Sequence, residues 1–193
     1  LPAANGLAAG PDNTLYIDNG PIPTSALPDP KIVRLKIDPS NPMHVTEQTD
    51  WLQMTPLVDF PNGVRWANNR LYFSTSTTVL PQLGSIKYVT INADGSPSDA
   101  TTLGTILGLP DDFSVIGEHV LMVSYSNNQI FLLSPSGEIL QQSALLSFDS
   151  PSMVLAGQPP LFRPDEILVT EKGIIGLPPT PGYGNKLSVL TPN

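Results

Sequence analysis

The chain has 193 residues, 40% of them hydrophobic, which is long and apolar enough for a packed core and excludes a disordered chain. Its formal net charge is −8, and its nine Lys and Arg never cluster, which excludes nucleic acid as an expected partner and assigns the acidity to solubility. There is no Cys, so disulfides, thiolate nucleophiles and Cys–zinc sites are excluded, and no apolar run approaches the roughly 18 residues of a membrane span.

The 22 Pro and 15 Gly imply many turns. A turn-rich chain of short β-branched and aromatic runs reads as all-β. Only Trp51–Thr55 and Ser143–Leu146 carry a helical pattern, and both are short. No signal peptide and no Asn-x-Ser/Thr acceptor is visible, so the reading is a soluble chain with its compartment open.

Taken in order, the expected strands of a first unit, about 1–60, are Gly6–Ala9, Thr14–Asp18 and Lys31–Asp38. The last alternates apolar and basic residues, the mark of a half-exposed strand. This unit carries a Pro-rich insertion, Pro21–Pro30, of the kind that lies in a surface loop. A second unit, about 61–108, has strands at Val64–Ala67, Arg70–Thr75, Ser85–Ile91 and Thr101–Ile106. A third, about 109–148, has Phe113–Ile116, His119–Ser124, Gln129–Ser134 and Glu138–Gln142, with a hairpin turn at Pro135–Gly137. A fourth, about 149–193, has Met153–Ala156, Glu166–Thr170 and Lys186–Leu190, with a long loop from Lys172 to Gly182.

The units repeat. Asn5-Gly6, Asn62-Gly63, Asp111-Asp112 and Ser152 open the four copies, at spacings of 57, 49 and 41 residues. Propeller blades run roughly 40 to 50 residues of four strands. The fold class expected is therefore all-β, a β-propeller portion of about four blades of a six-bladed ring. Four blades do not close such a ring. The expectation is that the remaining blades come from a companion chain or a second copy.

The repeat places one polar side chain at the same point of each unit, which is how a ring of repeats builds a central site. Asn carbonyl and Asp carboxylate oxygens are hard donors and suit Ca²⁺, Mg²⁺ or Mn²⁺. A cation there would polarise a lactone carbonyl and acidify a bound water. Against this, Asn-Gly is the commonest tight-turn dipeptide, and Asp111-Asp112 after Pro110 also suits a turn or cap. Arg65 is expected to face opposite to Val64 and Trp66, and period-two alternation leaves open whether Trp66 faces a channel or a blade interior. His44 is expected in a Pro-rich loop and His119 at a strand start, and neither has metal-ligand spacing. Ser74–Thr78 suits either a channel mouth or turn backbone. No Gly-x-Ser-x-Gly elbow is present, so a serine-hydrolase triad is not supported.

Four stretches resemble the SMP-30/gluconolactonase-type propellers, and most of all their fungal secondary-metabolism relatives: Asn5-Gly6 with Thr14–Ile17, Phe60–Gly63 with Arg70–Ser74, Asn92–Pro97, and Leu109–Phe113. The resemblance covers most of the chain and matches the C-terminal portion of that family. It implies a small-molecule substrate and a divalent cation (Ca²⁺, Mg²⁺, Mn²⁺ or Zn²⁺) in the central channel. It implies Asn62 and Asp111 as metal ligands, Asp111 also as general base, and Asn5 as lining the substrate or a metal-bound water. Arg65, Trp66 and Ser152 join the candidate substrate-binding set. The blade that supplies a metal-binding Glu in those lactonases has no counterpart here. Three functions stay open: a metal-dependent hydrolase of a lactone or related ester, a metal-independent pericyclase of the hetero-Diels–Alder type, and a non-enzymatic ligand-binding propeller.

Overall fold

Short β-branched and aromatic runs between Pro, Gly and Asn punctuation pair with their sequence neighbours, and the computed structural model is built from such pairs. It describes residues 1, 3–20, 29–56, 58–77, 81–174 and 181–191. Most of the Pro-rich insertion, residues 21–28, lies outside these, as do Thr78 and residues 175–180 of the expected long loop. Among the described residues there are strands and turns and no helix. The chain divides into two units, Leu1–Leu107 and Gly108–Asn193.

The first unit holds two four-stranded antiparallel sheets. One is the meander β1 (Ala4–Ala9), β2 (Thr14–Asn19), β3 (Lys31–Asp38) and β4 (Asn41–Gln53). The other is β5 (Phe60–Ala67), β6 (Arg70–Ser76), β7 (Leu83–Val89) and β8 (Thr101–Leu107). The second unit holds the meander β9 (Pro110–Ile116), β10 (His119–Ser124), β11 (Gln129–Leu133) and β12 (Ile139–Gln142). Its other sheet has three strands, β13 (Pro151–Ala156), β14 (Ile167–Glu171) and β15 (Lys186–Leu190). The all-β propeller-blade expectation is borne out.

Three local readings are corrected. Trp51–Gln53 is the end of β4 and not helical, and His44 lies on that strand rather than in a loop. Ser143–Leu146 is irregular chain and turn. β4 is an edge strand, exposed along most of its length, so it shows no apolar alternation to read.

The hairpins β1–β2 and β5–β6 turn on Asp12-Asn13 and Asn68-Asn69, both residues of each pair at φ near +50°. Two consecutive left-handed residues are what a tight hairpin matching strand twist demands, and Asn and Asp tolerate them best. The Asn-Gly pairs, by contrast, lie inside strands.

The apolar core of the first unit gathers Tyr16, Ile32, Val64, Leu71 and Phe73, with Trp51 against Tyr16 at 4.7 Å between ring centroids. Each such side chain contributes roughly 1.5–3 kcal/mol on burial. In the second unit Leu121, Val123, Ile130, Phe148, Val154 and Val169 form a core cluster. The buried Ser114 hydroxyl donates to the Val154 carbonyl at 2.6 Å, tying β9 to β13.

Candidate functional site

The same irregularity recurs where each sheet's first strand meets its second. The register jumps from Ala4 opposite Asn19 to Leu7 opposite Ile17, so Asn5 and Gly6 together face Asp18. It jumps from Pro61 opposite Thr75 to Val64 opposite Phe73, so Asn62 and Gly63 face Ser74. It jumps from Pro110 opposite Ser124 to Phe113 opposite Met122, so Asp111 and Asp112 face Val123. In the last sheet Ser152 is the extra residue between Pro151 opposite Glu171 and Met153 opposite Thr170. A β-bulge bends the strand and re-aims a side chain. Pro61, Pro110 and Pro151 sit beside the bulge at or near the strand start, where a missing N–H costs no ladder bond.

In the first unit, Asn5 Nδ2 donates to Asn62 Oδ1, joining the bulges of β1 and β5. The buried Asp18 Oδ2 accepts the Gly6 N–H at 3.0 Å. A Cβ at Gly6 would lie 2.4 Å from that carboxylate and 2.7 Å from the Val64 nitrogen, so glycine is there for close approach. The Arg65 guanidinium donates to the Val64 carbonyl at 2.6 Å, and Trp66 packs against the apolar core.

In the second unit, Asp111 is buried and its Oδ2 pairs with Lys172 Nζ, the side chains being 9% and 37% exposed. The Lys172 ammonium lies 5.1 Å from the centroid of the Tyr125 ring, a cation–π distance. The Ser152 hydroxyl bonds with Thr170 Oγ1 at 2.9 Å. Beside this, Ser150 Oγ and the Tyr183 hydroxyl share a bond of 3.1 Å, and Asn128 Oδ1 accepts the Ser150 N–H at 3.0 Å. The buried Glu171 carboxylate accepts from the Asp149 N–H and the Ser188 hydroxyl, with Lys186 Nζ 3.6 Å away. Lys186 also pairs with Asp149 at 2.6 Å and holds its carboxyl below the usual carboxylate range, against the opposing effect of burial.

Sequence reasoning did not single out Asp18, Glu171 or Lys172. The repeat contains the signal for all three. Asp18 aligns with Ser74 in Leu-Tyr-Ile-Asp against Leu-Tyr-Phe-Ser, and Glu171 aligns with Asn19 and Ser124 by strand register. The residue after the second strand closes back on the residue before the first: Gly20 on Ala3 at 3.0 Å, Tyr125 on Leu109 at 2.8 Å, Lys172 on Ser150 at 3.1 Å. Lys172 thus begins its loop at a fixed point of the repeat.

A divalent cation needs several hard, mostly anionic donors. In the second unit the Asp111 carboxylate is already neutralised by Lys172. Among the described residues, no group of three or more His, Cys, Asp or Glu comes together. As arranged within each unit, the donors do not fit such a cation.

Solved structures fold alike. The fold is that of a β-propeller segment. The gluconolactonase XC5397 from Xanthomonas campestris aligns with a TM-score of 0.61 at 18% identity, over 86% of this chain and 53% of that one. Regucalcin from Agrobacterium tumefaciens, described as a calcium-binding protein, aligns at 0.64 and 15% identity, over 96% of this chain and 59% of that one. Virginiamycin B lyase from Staphylococcus aureus aligns at 0.54 and 16% identity, over 86% and 47%. The chain therefore spans about half to three-fifths of these proteins. No protein-family model matches the sequence, and no curated protein matches it in sequence.

Proposed function

We propose that the chain is part of a lactonase-like hydrolase that opens a small lactone or related ester at the bulged ends of its first strands. The observation that supports this most is the recurrent bulge, which sets Asn5, Asn62, Asp111 and Ser152 at one point of the repeat with a single buried carboxylate, Asp111, among them. The likeness to gluconolactonase XC5397 points the same way. Because the chain spans about half of that protein, the remaining blades, from a companion chain or a second copy, belong to the proposed working enzyme.

In this reading Asp111 takes a proton from water, and the water oxygen bonds to the carbonyl carbon. The ring C–O bond then breaks, and the proton passes to the departing ring oxygen. The Ser152 hydroxyl, in the same unit as Asp111, orients the substrate. No step in this scheme passes through a metal ion, since the described donors within each unit do not fit one.

The test is turnover of a lactone panel by the full-length protein. Hydrolysis that falls about 10²-fold or more in Asp111→Asn supports the reading, in line with the loss of a general base. Absence of turnover on every lactone and ester, or an undiminished Asp111→Asn enzyme, overturns it.

A further inference from the structure

We propose that Lys172 is the resident cation of this site: its ammonium takes the place at Asp111 that a divalent ion would need, and it binds the carbonyl oxygen of the substrate. The inference deepens the hydrolase reading above and rests on it for the identity of the substrate.

Three independent features hold Lys172 in place. Its backbone N–H closes on the Ser150 carbonyl at 3.1 Å, the bond that Tyr125 and Gly20 make at the same point of their sheets. Its ammonium is paired with the Asp111 carboxylate and lies over the Tyr125 ring. The next residue, Gly173, accepts the Tyr125 hydroxyl at 3.3 Å through its carbonyl and adopts φ +74° just past the end of β14. A long lysine chain tied at both ends loses little further freedom on binding a ligand.

The chemistry follows from burial. Asp111 is almost wholly out of water, and a carboxylate there needs an opposite charge beside it. Lys172 supplies it with one ammonium, and about a third of its side chain stays exposed. An ammonium has three donors. One serves Asp111, and the others can reach a substrate oxygen. Charge developing on that oxygen as water attacks is then met by a fixed positive group. A divalent cation at Asp111 would have to displace Lys172, and among the described residues no group of three or more His, Cys, Asp or Glu is placed to hold it.

The experiment measures metal binding and catalysis separately on the full-length protein. Mn²⁺ is titrated calorimetrically into the wild type, Asp111→Asn and Lys172→Met after chelator treatment. The expected result is that wild type and Asp111→Asn bind Mn²⁺ alike, while Lys172→Met gains about tenfold or more in affinity through the uncovered carboxylate. Wild-type binding that weakens about tenfold in Asp111→Asn, or a Lys172→Met protein no better than wild type, overturns the proposal. On a lactone that the wild type hydrolyses, chelator leaves the rate unchanged, and Lys172→Met lowers kcat/KM about 10²-fold, the loss expected of one oxyanion donor. Loss of wild-type turnover in chelator overturns it as well. If no lactone is hydrolysed, the hydrolase reading fails, and the Mn²⁺ titration still decides whether Lys172 holds the cation position. Should Lys172→Met not fold, Lys172→Gln serves in both measurements.

Discussion

Asp18 and Ser74 do the same work in two successive sheets. Each accepts the N–H of the glycine in the facing bulge, Gly6 at 3.0 Å and Gly63 at 2.9 Å, and each is fully buried. The two hairpins use a carboxylate and a hydroxyl for one backbone requirement, because a bulge frees an N–H from the ladder and burial forbids leaving it unpaired. Asp18→Ala and Ser74→Ala should therefore each cost about 1–3 kcal/mol, the penalty for an orphaned buried donor. Asp18→Ser should recover part of that loss. Denaturant unfolding measures it, and alanine variants as stable as the wild type would show that the bulge is held by other contacts.

How much of this was legible follows from the kind of signal each feature leaves. Strands with a buried face, such as Leu71–Ser74 and Val120–Ser124, show in their apolar runs. The edge strand β4 is exposed on both faces over most of its length and leaves no period to read. Asn5-Gly6 and Asn62-Gly63 look like tight turns because glycine's usual reason is a left-handed backbone. At Gly6 the reason is crowding, with Gly63 Cα lying 2.9 Å from where a Gly6 Cβ would be. The place of Lys172 in the repeat is legible, but its pairing is not. Its partner, Asp111, is 61 residues away, and ion pairs at that separation have no local pattern.

Trp51 gives a test of β4. Its ring packs on Tyr16 at 4.7 Å, and its Nε1–H donates to the Gly95 carbonyl at 2.8 Å. Trp51→Ala should cost about 3–5 kcal/mol, as for other large buried aromatic truncations. Trp51→Phe should cost only about 1 kcal/mol, because Arg34 still donates to the Gly95 carbonyl at 2.7 Å and leaves no orphan acceptor. Chemical denaturation of the two variants separates these outcomes. Equal losses would mean that the indole N–H, and not the ring, holds β4.

Acid stability of the second unit should depend on Lys186. The hydrogen bond from Lys186 depresses the Asp149 carboxyl, and Asp149 in turn raises the Lys186 ammonium. A depressed carboxylate stabilises the fold above its unfolded value, and that contribution is lost as pH falls through its folded value. A raised lysine contributes below its unfolded value and loses that as pH rises through the folded one. Between the two the pair is intact. Lys186→Met should thus lower the melting temperature at neutral pH and make the fall toward acid shallower, since the depression of Asp149 is gone. Parallel pH profiles for variant and wild type would rule the pair out as a source of acid sensitivity.

Gly184 packs closely against the backbone of Lys172 and Gly173. It adopts φ +69°, and a Cβ there would meet Gly173 N at 2.4 Å, Gly173 Cα at 2.5 Å and the Lys172 carbonyl carbon at 2.9 Å. These are backbone atoms, so relief requires the Lys172-Gly173 segment to move. Gly182 is the matched control, since it adopts φ +79° with nothing within 4 Å of its missing Cβ. Both alanine variants carry the left-handed penalty of about 1–2 kcal/mol. Only Gly184→Ala adds the overpacking cost of about 1–3 kcal/mol, and only it should displace the ammonium from Asp111. Paired denaturant melts should rank Gly184→Ala clearly below Gly182→Ala in stability. Where turnover is measurable, Gly184→Ala should lose kcat/KM while Gly182→Ala keeps it. Equal stability and equal kinetics in the two variants would mean that the close approach of Gly184 plays no part in placing Lys172.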